Sequence, residues 1–311
     1  MRLERMRVRI AGEPGAVSAS VHVPSDWTGA GQALVLGHGA GGDMETAFLL
    51  AMADGLAMAG VLTMRFNFPY AELGRGGPDP QQRLVDTYAA AVAALRESPR
   101  YAMNKLFVGG KSMGGRIAAI GVAAGRIKAD GLVFLGYPLH PAGKPADLRD
   151  QPVLTAKVPM LFVQGTRDQL CDLSLLESVR ARIPSPNALM VIEGGDHSFA
   201  LPRSGSEDPK RVGERIIVTV KQFLEHPVGT PVAPAALAEA KAAAKAEARP
   251  GTALVKKPGQ ALVKRPAEAL VKRPAEALVK KPAAGLVKKP ATKAKSPAKP
   301  KPKPKPAARK K

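Results

Sequence analysis

The sequence has a single cysteine, Cys171, in 311 residues. It therefore has no intramolecular disulfide and too few thiols for a cysteine-based zinc site. Aromatic residues are scarce at 4% of the chain, and none follows Phe223. A segment without large apolar side chains cannot build a core, so the folded domain must lie ahead of that point. Acidic residues thin out there too: from Pro231 onward there are 22 Lys and Arg against 4 Asp and Glu. That stretch carries +18 of the net +21 charge, leaving about +3 on residues 1–230. Long apolar runs are also missing. The longest, Ala47 to Met64, is interrupted by Asp54 and two glycines. It is too broken to span a membrane and reads as a buried helix followed by a strand. The opening MRLERMRVRIAGEP has charges but no apolar centre, which is not the make-up of a secretory signal. These absences lead to the expectation of a cytoplasmic protein with no membrane partner.

What is present alternates strand and helix. RMRVRIAG and AVSASVHVP have the period of two of half-buried strands. QALVLG, VLTMRFNFP, KLFVGG, GLVFLG, PMLFVQG and ALMVIEG are short continuous apolar runs, as in strands buried on both faces. Helical spacing follows in METAFLLAMADGLAMAG, in DPQQRLVDTYAAAVAALRES with Asp79 as cap and Pro80 at the first helical position, and in MGGRIAAIGVAAGRI. LSLLESVRARI and DPKRVGERIIVTVKQFLEH complete the helices. Two strands and then alternation predict an α/β fold: a mostly parallel eight-stranded sheet, begun by an antiparallel hairpin and flanked by helices. The domain is expected over residues 1–227. In such sheets ligands collect at the carboxyl ends of the strands.

At one strand end Gly110-Lys111-Ser112-Met113-Gly114 fits G-x-S-x-G, a nucleophile elbow. A strand must reverse into a helix within about three residues while presenting its middle side chain, and the flanking glycines have no Cβ to clash there. The competing reading is a tight turn with an incidental serine. A serine nucleophile needs a base, and the base needs an orienting carboxylate. Asp168 follows the PMLFVQG strand and His197 the ALMVIEG strand, in the chain order of this fold. Asp172 reads instead as a helix cap, and Asp196 is too close in sequence to His197 to face it. His22 and His226 read as structural or exposed; His38 and His140, each just after a strand, are candidates to line the site. An oxyanion hole needs two backbone donors. One is the amide of Met113; the other belongs to the loop HGAGG, at Ala40 or Gly41.

The motifs LVLGHGAGGDM, MRFNFPY, GGKSMGGR, GYPLHPAGKP, FVQGTRDQLC and GGDHSF resemble the α/β-hydrolase family. Within it they resemble the branch that includes testis-expressed protein thirty and subunit three of the NSL complex, related to the dienelactone hydrolases. The resemblance runs from about residue 6 to 226 and implies Ser112 as nucleophile, Asp168 as acid and His197 as base. It implies hydrolysis of an ester or thioester with no metal and no organic cofactor. Some eukaryotic members of the branch look like complex subunits rather than enzymes, so a catalytically silent scaffold is the rival expectation. The one place for a lid, Tyr137 to Pro159, is short, which suggests an open site. Lys111, Arg65, Arg75 and Lys144, read as loop residues, would favour an acidic acyl group if they face it; otherwise they are solvated surface charges.

From 228 to 311 the sequence reads as a disordered tail rich in Lys, Pro and Ala, with five octapeptides of the type ALVKRPAE over 253–292. A proline every eight residues breaks any long helix, and Leu-Val pairs alone bury too little surface to offset ordering entropy. The composition resembles linker-histone tails. Residues 231–311 are expected to bind nucleic acid or another polyanion through phosphates, without stacking on bases, which would associate the protein with nucleoid or chromatin. A merely solubilising extension is the alternative.

Overall fold

The structure, a computed structural model, describes residues 1–202 and 208–227; the tail expected over 228–311 lies outside the described residues. The strands are β1 (Arg2–Arg9), β2 (Ala16–Val23), β3 (Gln32–Gly37), β4 (Leu62–Phe66), β5 (Lys105–Lys111), β6 (Gly131–Leu135), β7 (Met160–Gly165) and β8 (Asn187–Ile192). The helices are α1 (Ala47–Met58), α2 (Pro69–Glu72), α3 (Gln81–Arg96), α4 (Met113–Ala123), α5 (Gln151–Thr155), α6 (Leu173–Arg180) and α7 (Pro209–Glu225). One sheet of eight strands has the order β1-β2-β4-β3-β5-β6-β7-β8. The β1–β2 and β2–β4 pairs are antiparallel, and every other neighbouring pair is parallel. This is the mostly parallel α/β sheet that the sequence predicts.

The apolar runs are buried on both faces because helices cover both. Successive residues of a strand point to opposite sides, and the two cores divide accordingly. Val35 and Phe134 pack with Leu84 and Tyr88 of α3 and Ile117 of α4. Their strand neighbours Leu34, Leu36, Val133 and Leu135 pack with Leu49 and Met52 of α1 and Ile216 and Phe223 of α7. Each of these fully buried side chains contributes about 2–3 kcal/mol over leaving it in water. A charge at any of them would have no partner on either side. β1, at the sheet edge, is mostly exposed, which is why it alternates and carries charge.

Two local expectations are corrected. α3 begins at Gln81, with Pro80 as the flanking residue and no side-chain cap. Asp79 instead accepts the Tyr70 N–H at 2.7 Å, at the start of α2. The short helices α2 and α5 have no sequence period to announce them. Among the described residues no helix is long and apolar enough to cross a membrane.

Candidate active site

β5 ends at Lys111 and α4 begins at Met113, so Ser112 alone makes the turn. Its backbone lies at φ 50° and ψ −115°, a region that costs a non-glycine residue about 1–3 kcal/mol. The turn is held from both sides: Ser112 N–H donates to Leu135 O of β6, and Arg116 N–H donates to Ser112 O, each at 3.1 Å. A Cβ at Gly110 or at Gly114 would overlap Gly37 O of β3. The glycines therefore let a neighbouring strand pass directly against the elbow. Gly110 has the further requirement of φ 147°.

Two more strand ends bring their residues to Ser112. The loop after β8 places His197 with Nε2 2.8 Å from Ser112 Oγ, and the loop after β7 places Asp168 Oδ2 2.7 Å from His197 Nδ1. The Asp168 side chain is fully buried, while that of His197 is 26% exposed. Asp168 Oδ1 accepts the Leu170 N–H at 2.8 Å, and Oδ2 also accepts from Gln164 Nε2. Gln164 is itself fixed, because its Oε1 accepts the Tyr137 N–H at 3.0 Å. A carboxylate at Nδ1 selects the tautomer with its proton there, which leaves Nε2 free to accept from the serine hydroxyl. The rival carboxylates are occupied. Asp172 caps α6 through the amides of Ser174 and Leu175, and Asp196 accepts the amides of Ser198 and Ala200.

Gln164 escaped the sequence reading. Its signal was a single amide in a strand whose six residues are all buried, since a buried amide must find hydrogen-bond partners. The sequence leaves Lys111 open between facing an acidic acyl group and lying solvated at the surface. Its ammonium turns inward, donates to His197 O at 2.6 Å and lies 5.5 Å from the centre of the Phe199 ring. Burial pushes its pKa down to about 8, against the pull of Asp168 and Asp196. The residue beside the serine is thus tied to the backbone of the histidine.

His38 and His140 are buried and turned to structural work rather than lining an open site. They use one device. His38 Nδ1 donates to Gly39 O at 2.9 Å and its Nε2 accepts the Phe68 N–H at 3.1 Å. His140 Nδ1 donates to Pro141 O at 2.9 Å and its Nε2 accepts the Asp172 N–H at 3.0 Å. Burial lowers the pKa of His38, in keeping with a neutral ring. Tyr70 Oη completes the bracket around the HGAGG loop, 3.2 Å from Gly39 O and 3.1 Å from Ala40 O. A trans peptide points its N–H opposite to its C=O, so the amides of Ala40 and Gly41 face away from Tyr70. Neither takes a partner among the described residues. The loop abuts the elbow, since a Cβ at Gly39 would sit 3.8 Å from Ser112 Cβ. The Met113 amide opens α4, where no intrahelical acceptor exists for it.

The other cations expected near an acyl group are dispersed. Arg65 belongs to β4, is buried, and bonds His22 Nε2 at 3.0 Å and Met44 O. Arg75 pairs with Glu13 at 3.0 Å, and Lys144 is exposed. The segment from Tyr137 to Pro159 contains only the five-residue α5 and turns.

A parallel sheet covered on both faces, with a serine lifted on a strand-to-helix turn at its carboxyl edge, defines the α/β-hydrolase class of fold. Residues 30–225 match the alpha/beta hydrolase domain family, and the chain belongs to it. Solved structures with the same architecture include dienelactone hydrolase from Anabaena variabilis, at 17% identity and a TM-score of 0.56, covering 74% of this chain and 100% of that one. Est1E from Butyrivibrio proteoclasticus is similar at 17% identity, TM-score 0.54, with coverages of 72% and 98%. An α/β serine hydrolase without lid from Xanthomonas campestris is similar at 20% identity, TM-score 0.50, with coverages of 72% and 94%. At these identities the likeness is one of fold.

Proposed function

We propose that the protein is a serine hydrolase of carboxylic esters or thioesters. The observation that carries this reading is the row Ser112–His197–Asp168, closed at 2.8 and 2.7 Å on three separate strand ends. Packing alone gives no reason to assemble those three side chains. In the mechanism His197 Nε2 takes the Ser112 proton as Oγ attacks the carbonyl carbon. The negative charge on the carbonyl oxygen settles on the amides of Met113 and of Ala40 or Gly41. Asp168 stabilises the imidazolium, which then protonates the leaving alcohol or thiol. Water, deprotonated by His197, attacks the acyl-enzyme and releases the acid. Each oxyanion donor is worth about 3 kcal/mol of barrier. These steps call for no metal and no organic cofactor.

The reading extends to the chain's setting. The quoted motifs support a place in the branch of testis-expressed protein thirty and NSL complex subunit three, and the short 137–159 segment supports a small or solvent-presented ester. Residues 1–227 would form the hydrolase domain, and residues 231–311 would tether it, in the cytoplasm, to nucleic acid or another polyanion. The charge of that tail is the support for the tether. Affinity falling steeply with salt would agree with it, and no binding at about 50 mM salt would exclude it.

Labelling with a fluorophosphonate probe tests the enzyme reading. The parent protein should label, and Ser112→Ala and His197→Ala should not. A folded parent that never labels would leave the rival expectation, a silent scaffold, in its place.

A further inference from the structure

We propose that Arg65 and Asn67 are positioning residues: together they grip the backbone of Met44 and so fix the HGAGG loop that supplies one oxyanion donor. The inference rests on the hydrolase reading above, in which the amide of Ala40 or Gly41 meets the carbonyl oxygen. Tyr70 and His38 hold that loop at Gly39 and Ala40. Past Ala40 its own backbone bonds are long: Gly42 N–H reaches Gly39 O at 3.3 Å, and Thr46 N–H reaches Asp43 O at 3.4 Å. Both exceed the common range for such bonds, so the far end of the loop needs a hold from outside.

Met44 is where the sheet takes hold. Its N–H donates to Asn67 Oδ1 at 2.9 Å, and its C=O accepts from Arg65 Nη1. Arg65 belongs to β4, and Asn67 lies just past its end. Two residues apart, they leave the chain on one side and take both backbone groups of the same residue. Met44 is itself buried, so a bond lost there is not made good by water.

Both side chains are fixed in turn from elsewhere. Arg65 Nε donates to His22 Nε2 at 3.0 Å, and His22 Nδ1 bonds Asp54 Oδ1 at 2.8 Å. Arg65 Nη1 also reaches Glu45 Oε2 at 3.3 Å. Asn67 Nδ2 donates to Glu72 Oε2 at 3.0 Å. A carboxylate only accepts, so Glu72 turns the amide nitrogen toward itself and leaves the oxygen for Met44. A buried charge is costly to place, and an apolar side chain of similar volume would fill the same space at less cost. Packing alone therefore gives no reason for a guanidinium here, whereas the grip on Met44 does.

The test measures the rate at which a fluorophosphonate labels Ser112, with kcat and KM for p-nitrophenyl acetate, on the full-length protein. Asn67→Ala and Arg65→Met should each lower the labelling rate and kcat about tenfold to a hundredfold with KM little changed, because a donor moves while the rest of the site stays. Arg65→Lys, which keeps a donor for Met44 O, should retain more of both rates. Val92→Ala, a core truncation in α3, should lower stability and leave both rates unchanged. The Gly42 amide, which neither residue touches, should exchange its hydrogen at least about threefold faster in Asn67→Ala. Asn67 is only partly buried, so its variant carries the test even if Arg65→Met fails to fold. A parent that labels while Asn67→Ala labels at the same rate overturns the inference alone, as does an equal loss of rate in Val92→Ala or unchanged exchange at Gly42. A folded parent that never labels overturns the hydrolase reading, and the inference falls with it.

Discussion

Replacing Lys111 with methionine should separate stability from activity. The ammonium is enclosed by Phe199, Gly136 and the His197 carbonyl, and its pKa falls from 10.5 to about 8. A folded-state value below the unfolded one means that the unfolded chain holds more protons between the two. Stability therefore rises with pH across that window. Below about pH 8 the charged form carries a cost of up to about 3 kcal/mol, since each unit is worth ~1.36 kcal/mol. Above about 10.5 that cost is gone. Methionine fills similar space without the charge, so Lys111→Met lacks this pH dependence. Urea unfolding at several pH values reads it: the parent should gain on the variant by up to ~3 kcal/mol between pH 7 and 10.5. The same variant loses the tether from the elbow to His197. On the proposed hydrolase reading, a base displaced by even a fraction of an ångström should lower kcat/KM about tenfold to a hundredfold. Parallel pH–stability curves would refute the buried-charge account, and undiminished turnover would refute the tether.

Tyr70→Phe removes the hydroxyl that holds Gly39 O and Ala40 O; kcat should fall by about tenfold or more with KM little changed, the pattern of a loosened oxyanion donor. Gln164→Leu strips a donor from Asp168 Oδ2 inside a fully buried strand. Asp168 then holds the His197 ring less firmly, so on the proposed hydrolase reading kcat/KM should fall about tenfold; an unchanged kcat/KM in the folded variant would make Gln164 a packing residue only. Glu72 is 13% exposed. Burial works to raise its pKa, but bonds from the Ser18 amide, Asn67, Arg7 and the Ser18 hydroxyl outweigh this and hold it at about 2, below the ordinary 4.5. Its contribution, at most about 3 kcal/mol, is present above pH ~4.5 and lost as pH falls toward 2. Glu72→Gln should flatten that part of the acid-unfolding curve.

What the sequence disclosed, and what it concealed, follows from the range of the forces involved. β3, β5, β6 and β7 stood out because strands covered on both faces admit almost nothing polar. Ser112 stood out because a strand that turns into a helix against a neighbouring backbone leaves a local mark, the glycines at 110 and 114. Asp168 and His197 were found by the same rule of position, at strand ends in a fixed order. The supports leave no such mark. α2 is four residues long, too short to hold itself, and Asp79, Ser18 and Arg7 hold it from elsewhere in the chain. Arg65 read as a loop cation because its partner His22 lies forty-three residues away. His38 and His140 were taken for site residues on their places after strands. Their bracketing bonds to Phe68 and Asp172 each span some thirty residues. The Ser112 side chain is held on a special backbone, and that backbone writes glycine beside it. A side chain that braces the site works through distant backbone amides and carbonyls, which every residue supplies alike. The residues that meet at such a site are therefore legible well before its scaffolding.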